Sequence, residues 1–199
     1  MNYPFPPFPD DSKGHLIRLL AASDNIVITT HTRPDGDAAG STLALWNYLH
    51  RIGKQATVIF SDPLDTYISW LPGSGQSLVA SAHPEEAKKL IEKADLIFCL
   101  DYGVVTRTGD FLSALIYASN APRVLMDHHL WPEMGYSLSF HHDKASSTCE
   151  IIYRVILTLG DEKLIDREIA ECLYTGIVTD TGSFRLIQPA RPCTRQLPH

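Results

Sequence analysis

Residues 25–41 read NIVITTHTRPDGDAAGS, an apolar run followed by a polar turn and then by the start of a helical pattern. The apolar run is short and rich in β-branched residues, which is typical of a strand that is buried on both faces of a parallel sheet. The proline and the glycine favour a bend, and Asp37 could cap the following helix. His31, Asp35 and Asp37 are also residue types that bind metals, so the segment fits either a structural turn or half of a metal site.

The alternation of a buried strand with an amphipathic helix continues along the chain. Further strand-like runs lie at 56–60, 95–100 and 123–127, and helical patterns lie at 38–51, 84–94, 108–119, 146–159 and 166–179. Repeated β-α-β units predict an α/β fold, with a doubly wound, mainly parallel sheet and helices on both faces. We expect this domain to span residues 12–185, between an N-terminal extension (1–11) and an irregular tail (186–199).

The composition narrows the class of protein. The chain has 199 residues, of which 44% are hydrophobic and 20% are charged, and its formal net charge is −6. An excess of acidic residues argues against a broad basic face that holds duplex DNA. No apolar run approaches the ~20 residues of a membrane span, and the proline-rich start lacks the pattern of a signal peptide. We therefore expect a cytoplasmic protein that binds neither duplex DNA nor a membrane.

Metal-binding residue types follow three of the predicted strands. His31 comes after the first strand, Asp101 ends the third, and the Asp-His-His run at 127–129 closes the fourth. Ligands of open α/β sheets bind beyond the carboxyl ends of the strands, so these residues should meet at one edge of the sheet. Asp180 ends the last helical pattern, where an acidic residue opposes the helix dipole unless a cation lies nearby.

Each of these groups alone also fits a strand-ending turn, a loop or a helix cap, but together they favour a metal centre. The histidines accompany four aspartates: Asp35, Asp37, Asp101 and Asp180. So many oxygen ligands suit octahedral Mn²⁺ or Mg²⁺ better than a single tetrahedral zinc, and their number suggests a pair of ions. The four negative charges would balance two divalent cations. The charge of a substrate would then be met by other side chains, for which the candidates are His129, Arg33, Lys144 and Arg185.

Four segments, in this order, resemble the motifs of a known family. They are HTRPDGDAAGS at 31–41, the aspartate of FCLDYG at 98–103, DHH at 127–129 and TGIVTDTGSFR at 175–185. Their order and spacing resemble those of the DHH phosphoesterase superfamily, and especially its bacterial oligoribonucleases that also dephosphorylate 3′-phosphoadenosine 5′-phosphate. The segment ASSTCEIIY at 145–153 is similar to the stretch that this family has between its third and fourth motifs.

The resemblance implies a phosphoric ester hydrolase that uses two metal ions, preferably Mn²⁺, to cleave small nucleotides or short single-stranded oligonucleotides. The implied ligands are His31, Asp35 and Asp101 for one ion and Asp37, Asp101, His128 and Asp180 for the other. Asp101 would bridge the ions and be catalytic together with His129, which would contact the substrate phosphate. Asp127 would orient a histidine ligand.

The sequence departs from the family after Arg185. Similar proteins carry a second, smaller substrate-binding domain there, and residues 186–199 show no likeness to one. Two alternatives to an efficient enzyme therefore remain open, namely a metal-binding domain of weak activity and a nucleotide-binding α/β module without hydrolysis. An uncovered docking face would favour self-association, so a homodimer is a further expectation.

Overall fold

The computed structural model describes residues 8–185 and shows a single sheet with helices on both faces. The strands are β1 (Ile26–Thr29), β2 (Ala56–Phe60), β3 (Leu78–Val79), β4 (Leu96–Leu100), β5 (Arg123–Asp127) and β6 (Leu138–His141). The helices are α1 (Asp10–Ala21), α2 (Gly36–Arg51), α3 (Pro84–Lys93), α4 (Asp110–Ala118), α5 (Thr148–Leu159) and α6 (Arg167–Asp180). The strand order is β3-β2-β1-β4-β5-β6, and every pair of neighbours is parallel. The predicted doubly wound α/β fold is confirmed.

The sheet separates two apolar layers, which explains why its central strands lack polar alternation. Ile26 and Ile28 of β1 pack in the layer that contains residues of α1, α2, α5 and α6. Val27, between them, packs in the other layer with residues of α3 and α4. Because successive side chains of a strand point to opposite faces, a strand covered on both sides must be apolar throughout.

The strand order reverses direction at β1, which lies between β2 and β4. The chain places β2 and β3 on one side of β1 and then crosses to the other side, where β4, β5 and β6 follow. In doubly wound folds the crevice at such a reversal, beyond the carboxyl ends of the strands, is the usual place for a ligand. His31 follows β1 at this crevice, and Asp101 follows β4.

Three elements differ from the sequence prediction. Strand β3 has only two residues, and β6 is an edge strand in which buried and exposed side chains alternate, so neither forms a continuous apolar run. Helix α1 begins at Asp10, inside the segment expected to be an extension, and Phe8 packs edge-to-face on Phe140 with ring centroids 4.9 Å apart. The predicted tail at 186–199 lies outside the described residues. None of the helices within residues 8–185 has the length and apolar character that a membrane span needs.

Candidate metal centre

The turn after β1 is closed by Asp35, which is the N-cap of α2. Its Oδ1 accepts hydrogen bonds from the backbone N–H groups of Asp37, at 3.1 Å, and Ala38, at 3.0 Å. Asp37 therefore does not cap the helix, contrary to the structural alternative that the sequence allowed. The other oxygen of Asp35 lies 3.9 Å from Nε2 of His31, so one carboxylate both caps the helix and faces the crevice.

Asp37 lies in the first turn of α2, is 1% exposed, and is held by another helix. Its Oδ2 accepts a hydrogen bond from the backbone N–H of Thr148 at 2.6 Å, and its Oδ1 accepts one from that of Cys149 at 2.9 Å. Both donors belong to the first turn of α5, whose dipole favours a negative charge. Burial and the negative charge of Asp101 nevertheless raise the pKa of Asp37 well above its usual range.

Asp101 has a left-handed backbone conformation, with φ of +61°, directly after β4. Aspartate tolerates this conformation better than most residues. Its Oδ2 lies 3.4 Å from Nε2 of His31, and its Oδ1 lies 3.7 Å from Nε2 of His128. Thr148 donates a hydrogen bond from Oγ1 to the same Oδ1 at 2.9 Å. The two oxygens of this buried carboxylate thus face two different histidines.

Both histidines direct Nε2 toward carboxylates. Nδ1 of His31 lies 2.7 Å from the carbonyl oxygen of Thr32, and Nδ1 of His128 lies 3.2 Å from that of Ala145. A carbonyl oxygen only accepts hydrogen bonds, so Nδ1 must carry the proton in each ring. In the neutral ring Nε2 then keeps a lone pair, which is the form in which histidine binds a metal.

The six predicted ligands come together in two clusters that meet at Asp101. We call His31, Asp35 and Asp101 the outer cluster, and Asp37, His128 and Asp180 the inner cluster. Within each cluster the candidate ligand atoms lie within 4.8 Å of one another. In the inner cluster, Nε2 of His128 is 3.8 Å from Oδ2 of Asp37 and 3.5 Å from Oδ2 of Asp180.

The negative charges of the clustered carboxylates repel one another. Burial is the first cause that raises the pKa of Asp180, and the negative charges of Asp101 and Asp35 raise it further, although His128 partly offsets this. Burial acts to lower the pKa of His31, but its interactions with Asp101, the Thr32 carbonyl and Asp35 outweigh burial and raise it. A divalent cation among these oxygens and imidazoles would relieve the repulsion, so the donor set fits a hard metal ion.

Asp127 was expected to orient a histidine ligand, but it contacts His129 instead. Its Oδ1 lies 2.8 Å from Nδ1 of His129, whereas Nδ1 of each predicted histidine ligand is bonded to a backbone carbonyl. This hydrogen bond outweighs burial and raises the pKa of His129. His141, for which the sequence favoured a polar strand end over a role in the site, donates from Nε2 to the backbone oxygen of His129 at 2.6 Å. The side chain of His129 remains 37% exposed beside Asp101.

The predicted substrate-binding side chains fall in different places. Arg33 is exposed and lines a cleft beside His31. Lys144 and Arg185 are also exposed, and within the part of the chain that is described their side chains make no hydrogen bond or ion pair. The same cleft contains Arg107, which sequence reasoning missed because VTRTG carries no recognisable motif. Thr148 was missed as an individual residue, although its segment was noted.

The model of the DHH family, N-terminal domain, matches residues 25–177. This chain belongs to the DHH family. The six clustered residues lie at the positions on which the resemblance rested, with only Asp180 beyond the matched range.

Two DHH relatives carry the same name, bifunctional oligoribonuclease and PAP phosphatase NrnA. The protein from Thermus thermophilus is 32% identical over 169 residues, which cover 84% of this chain and 46% of the relative. The protein from Bacillus subtilis is 30% identical over 174 residues, which cover 86% and 51%. This chain therefore spans about half of the length of these relatives.

A solved structure shows the same fold. It is an exopolyphosphatase-related protein from Bacteroides fragilis, which is 38% identical and superimposes with a TM-score of 0.86. The match covers 89% of this chain and 52% of that protein. The DHH-family fold thus accounts for nearly all of the present chain.

Proposed function

We propose that this chain is a phosphoric ester hydrolase that binds two divalent cations, preferably Mn²⁺ and alternatively Mg²⁺. Its substrates would be phosphate esters of small nucleotides or short single-stranded oligonucleotides, as the name of the NrnA relatives suggests. The observation that carries the proposal is the pair of clusters joined at Asp101, whose two oxygens face His31 and His128 respectively.

The donor set supports metal binding on chemical grounds. In this proposal His31, Asp35 and Asp101 hold one ion, and Asp101, Asp37, His128 and Asp180 hold the other. The four carboxylates balance the charge of two divalent cations, and both imidazoles direct a lone pair into the crevice. When bound, such ions supply Lewis-acid activation of water and of phosphoryl oxygens.

His129 is the residue that we assign to the substrate phosphate. Asp127 holds its Nδ1 through the 2.8 Å contact, which leaves Nε2 as the free ring atom. The same contact favours the protonated ring, so that Nε2 can donate a hydrogen bond to a phosphoryl oxygen. As the bond between phosphorus and the leaving oxygen breaks, His129 could pass a proton to that oxygen. Asp127 is accordingly a positioning residue for the ring.

The test compares the wild type with Asp101→Asn. Asparagine also tolerates a positive φ, so this variant should keep the turn after β4 while it loses the shared carboxylate. The substrates are bis-p-nitrophenyl phosphate, a dinucleotide and 3′-phosphoadenosine 5′-phosphate, each with Mn²⁺ and with EDTA. We expect Mn²⁺-dependent turnover that falls by at least about a hundredfold in Asp101→Asn. Asp24→Asn, which changes an exposed aspartate ahead of β1, is the matched control.

The outcomes separate the alternatives. If the wild type hydrolyses none of the three substrates with Mn²⁺, the hydrolase proposal fails. If Mn²⁺ then still raises the melting temperature, a metal-binding domain of weak activity is the better description. If Asp101→Asn binds Mn²⁺ as tightly as the wild type does, the assignment of the ligands is wrong.

A further inference from the structure

The segment that follows β2 lies at the same edge of the sheet as the metal centre. Strand β2 is parallel to β1 and pairs with it directly, so the carboxyl ends of the two strands adjoin. The backbone N–H of Arg33, in the turn after β1, donates to Oδ2 of Asp62, shortly after β2, at 2.9 Å. The segment after β2 therefore starts beside the turn that carries Asp35 of the outer cluster.

Residues 65–73 of this segment are held firmly against the helices. The side chains of Ile68 and Leu71 are buried in the core, with exposed fractions of 0% and 1%. Nδ2 of Asn47, in α2, donates to the carbonyl oxygen of Pro72 at 3.0 Å. The segment is thus anchored by its apolar side chains and by a hydrogen bond to α2.

Two aromatic side chains of the same segment point away from the core. Tyr67 is 56% exposed and Trp70 is 57% exposed. The indole N–H of Trp70 donates to the backbone carbonyl oxygen of Tyr67 at 2.8 Å. This bond satisfies the single donor of the indole and fixes the orientation of its ring. The rigid backbone therefore presents a pair of large aromatic rings to solvent, which indicates a contact surface.

Tyr67 lies near enough to the outer cluster to be affected by its charge. Burial is the first cause that raises the pKa of Tyr67, and the negative charge of Asp35 raises it further, ahead of that of Asp65 in its own segment. The field of an exposed charge is screened within about 8–10 Å at physiological salt. The side chain of Asp35 is itself 56% exposed and faces His31 at 3.9 Å. The aromatic pair therefore lies beside the open side of the outer cluster.

The chemistry of this surface fits a nucleobase. Bases stack on aromatic side chains, and each stacked base contributes about 1–3 kcal/mol, whatever its sequence, because every base has a π-face. A further phosphate fits poorly, because the nearby carboxylates of Asp35 and Asp65 would repel its charge. The surface is thus suited to an uncharged, planar part of a ligand whose phosphate lies at the metal centre.

We propose that Tyr67 and Trp70 form a stacking platform for one nucleobase of the substrate, next to the outer cluster. This inference rests on the proposed function, because it assumes that the scissile phosphate lies at the metal centre. It deepens that function, since it assigns to the site a preference for substrates that carry a base over phosphate esters that lack one. The alternative occupant of the surface, a second copy of this chain, is one outcome of the test.

The kinetic test uses the dinucleotide ApA and an abasic analogue in which both adenines are replaced by hydrogen, each with Mn²⁺. For the wild type we expect a lower KM for ApA. The double variant Tyr67→Ala/Trp70→Ala should raise the KM for ApA by about fivefold to a hundredfold and leave that of the analogue unchanged. Its kcat should change little, because stacking away from the reacting atoms is the same in the ground state and the transition state.

Two further variants serve as controls. Trp70→Phe should retain part of the preference for ApA, since it keeps an aromatic face. Tyr117→Ala removes another exposed aromatic ring, in the last turn of α4, and should leave both KM values unchanged. If Tyr117→Ala raises the KM for ApA as much as the double variant does, the effect is not specific to the platform and the proposal fails.

A binding measurement separates the platform from the hydrolase proposal. Calorimetry with Mn²⁺-loaded protein would use ApA and the abasic analogue with a phosphorothioate at the linkage, which slows hydrolysis. If the bases strengthen binding to the wild type but not to the double variant, the platform stands even when neither compound is cleaved. If ApA and the analogue bind and react alike, or if the double variant keeps the difference, the platform is refuted while the hydrolase proposal survives. If neither compound binds nor reacts, both proposals are refuted.

Sedimentation of the same proteins tests the alternative occupant. We expect the double variant to have the same oligomeric state as the wild type. If the wild type is a dimer and the double variant is a monomer that keeps the preference for ApA, the aromatic pair is a contact between copies and the platform is refuted.

Discussion

The outer and inner clusters contain the same residue types but are held in different ways. In the outer cluster His31 and Asp35 are four residues apart on one turn, and the side chain of Asp35 is 56% exposed. In the inner cluster Asp37, His128 and Asp180 come from α2, the end of β5 and the end of α6. The side chain of Asp37 is 2% exposed and is bonded to a further helix, α5. Two of the three outer residues therefore share one turn, whereas the inner cluster depends on the packing of α2, α5 and α6 and on the end of β5.

This difference has an energetic consequence. A change at the exposed Asp35 alters few contacts, so we expect the outer cluster to lose this candidate ligand while the fold stays intact. A change in the inner cluster disturbs closely packed helices, so we expect the proposed metal binding to be coupled to folding there. The following predictions test this contrast, beginning with the largest expected effect.

The largest effect should come from Gly176→Ala, a change in α6 that adds only one methyl group. A Cβ at this position would lie 2.2 Å from Sγ of Cys149 and 2.7 Å from Oδ1 of Asp37. These distances are far below van der Waals contact, so α6 must move away from α2 and α5. We expect the free energy of unfolding, measured with urea, to fall by about 3 kcal/mol. Gly75→Ala is the control, because no atom lies within 4 Å of its Cβ position.

If Gly176→Ala is as stable as the wild type and is stabilised by Mn²⁺ to the same extent, the expected coupling of metal binding to folding is contradicted. Gly75→Ala should change the free energy of unfolding by less than about 0.5 kcal/mol. The comparison of the two alanine variants therefore separates the effect of the steric clash at the inner cluster from any general effect of replacing glycine.

The next prediction compares Asp37→Asn with Asp35→Asn, which change two aspartates of one turn. For the wild type, Mn²⁺ at a hundredfold excess over Kd should raise the free energy of unfolding by about 2.7 kcal/mol or more. Asp37→Asn should lose more than half of this rise, because an inner ligand is gone and an amide NH₂ faces an N–H of α5. Asp35→Asn should lose less and should keep its metal-free stability, since asparagine caps a helix as well as aspartate does. Equal losses in the two variants would remove the distinction between the clusters.

The same contrast explains how much could be predicted from the sequence. The spacing of His31, Asp35 and Asp37 is local, and the apolar strands locate Asp101 and His128 at one edge of the sheet, so these five candidates were identified. The end of the last helical pattern added Asp180. The hydrogen-bond partners were not predictable in this way. Asp37 bonds to Thr148, 111 residues later, and Asp127 pairs with His129 rather than with a ligand, because both arrangements depend on tertiary packing. Arg107 shares the cleft with Arg33 only because the turn after β4 packs against the turn after β1.

A smaller effect should follow from Thr148→Val, which removes the hydroxyl that bonds to the shared Asp101. The side chain is fully buried, and valine has nearly the same shape. We expect a loss of about 1 kcal/mol in the free energy of unfolding and a reduction in Mn²⁺ affinity of about tenfold, since the carboxylate loses its orienting donor. In Thr175→Val the lost hydroxyl bonds only to the Glu171 carbonyl within α6, so Mn²⁺ affinity should not change. Equal affinities of the two valine variants would show that Thr148 does not position Asp101.

The smallest effect should come from Asp166→Ala, which weakens the helix of Asp180 at its far end. Asp166 is the N-cap of α6, where its Oδ1 accepts a hydrogen bond from the N–H of Ile169 at 3.0 Å. Its Oδ2 accepts a second from Nε of Arg51 at 2.7 Å. Loss of the cap should lower the free energy of unfolding by about 1 kcal/mol at pH 7. The Mn²⁺-induced stabilisation should not change, because the inner ligand lies at the opposite end of the helix.

The pH dependence of stability identifies the cause of the loss in Asp166→Ala. Burial acts to raise the pKa of Asp166, but the Ile169 N–H and Arg51 favour the carboxylate and hold the pKa below its usual range. A pKa that is lower in the folded than in the unfolded state adds stability above the unfolded value of about 3.9, and this stability is lost as the pH falls. The wild type and Asp166→Ala should thus converge in urea unfolding experiments below about pH 4. A gap that persists at low pH, or a weaker response to Mn²⁺ in Asp166→Ala, would mean that the N-terminus of α6 also supports the inner cluster.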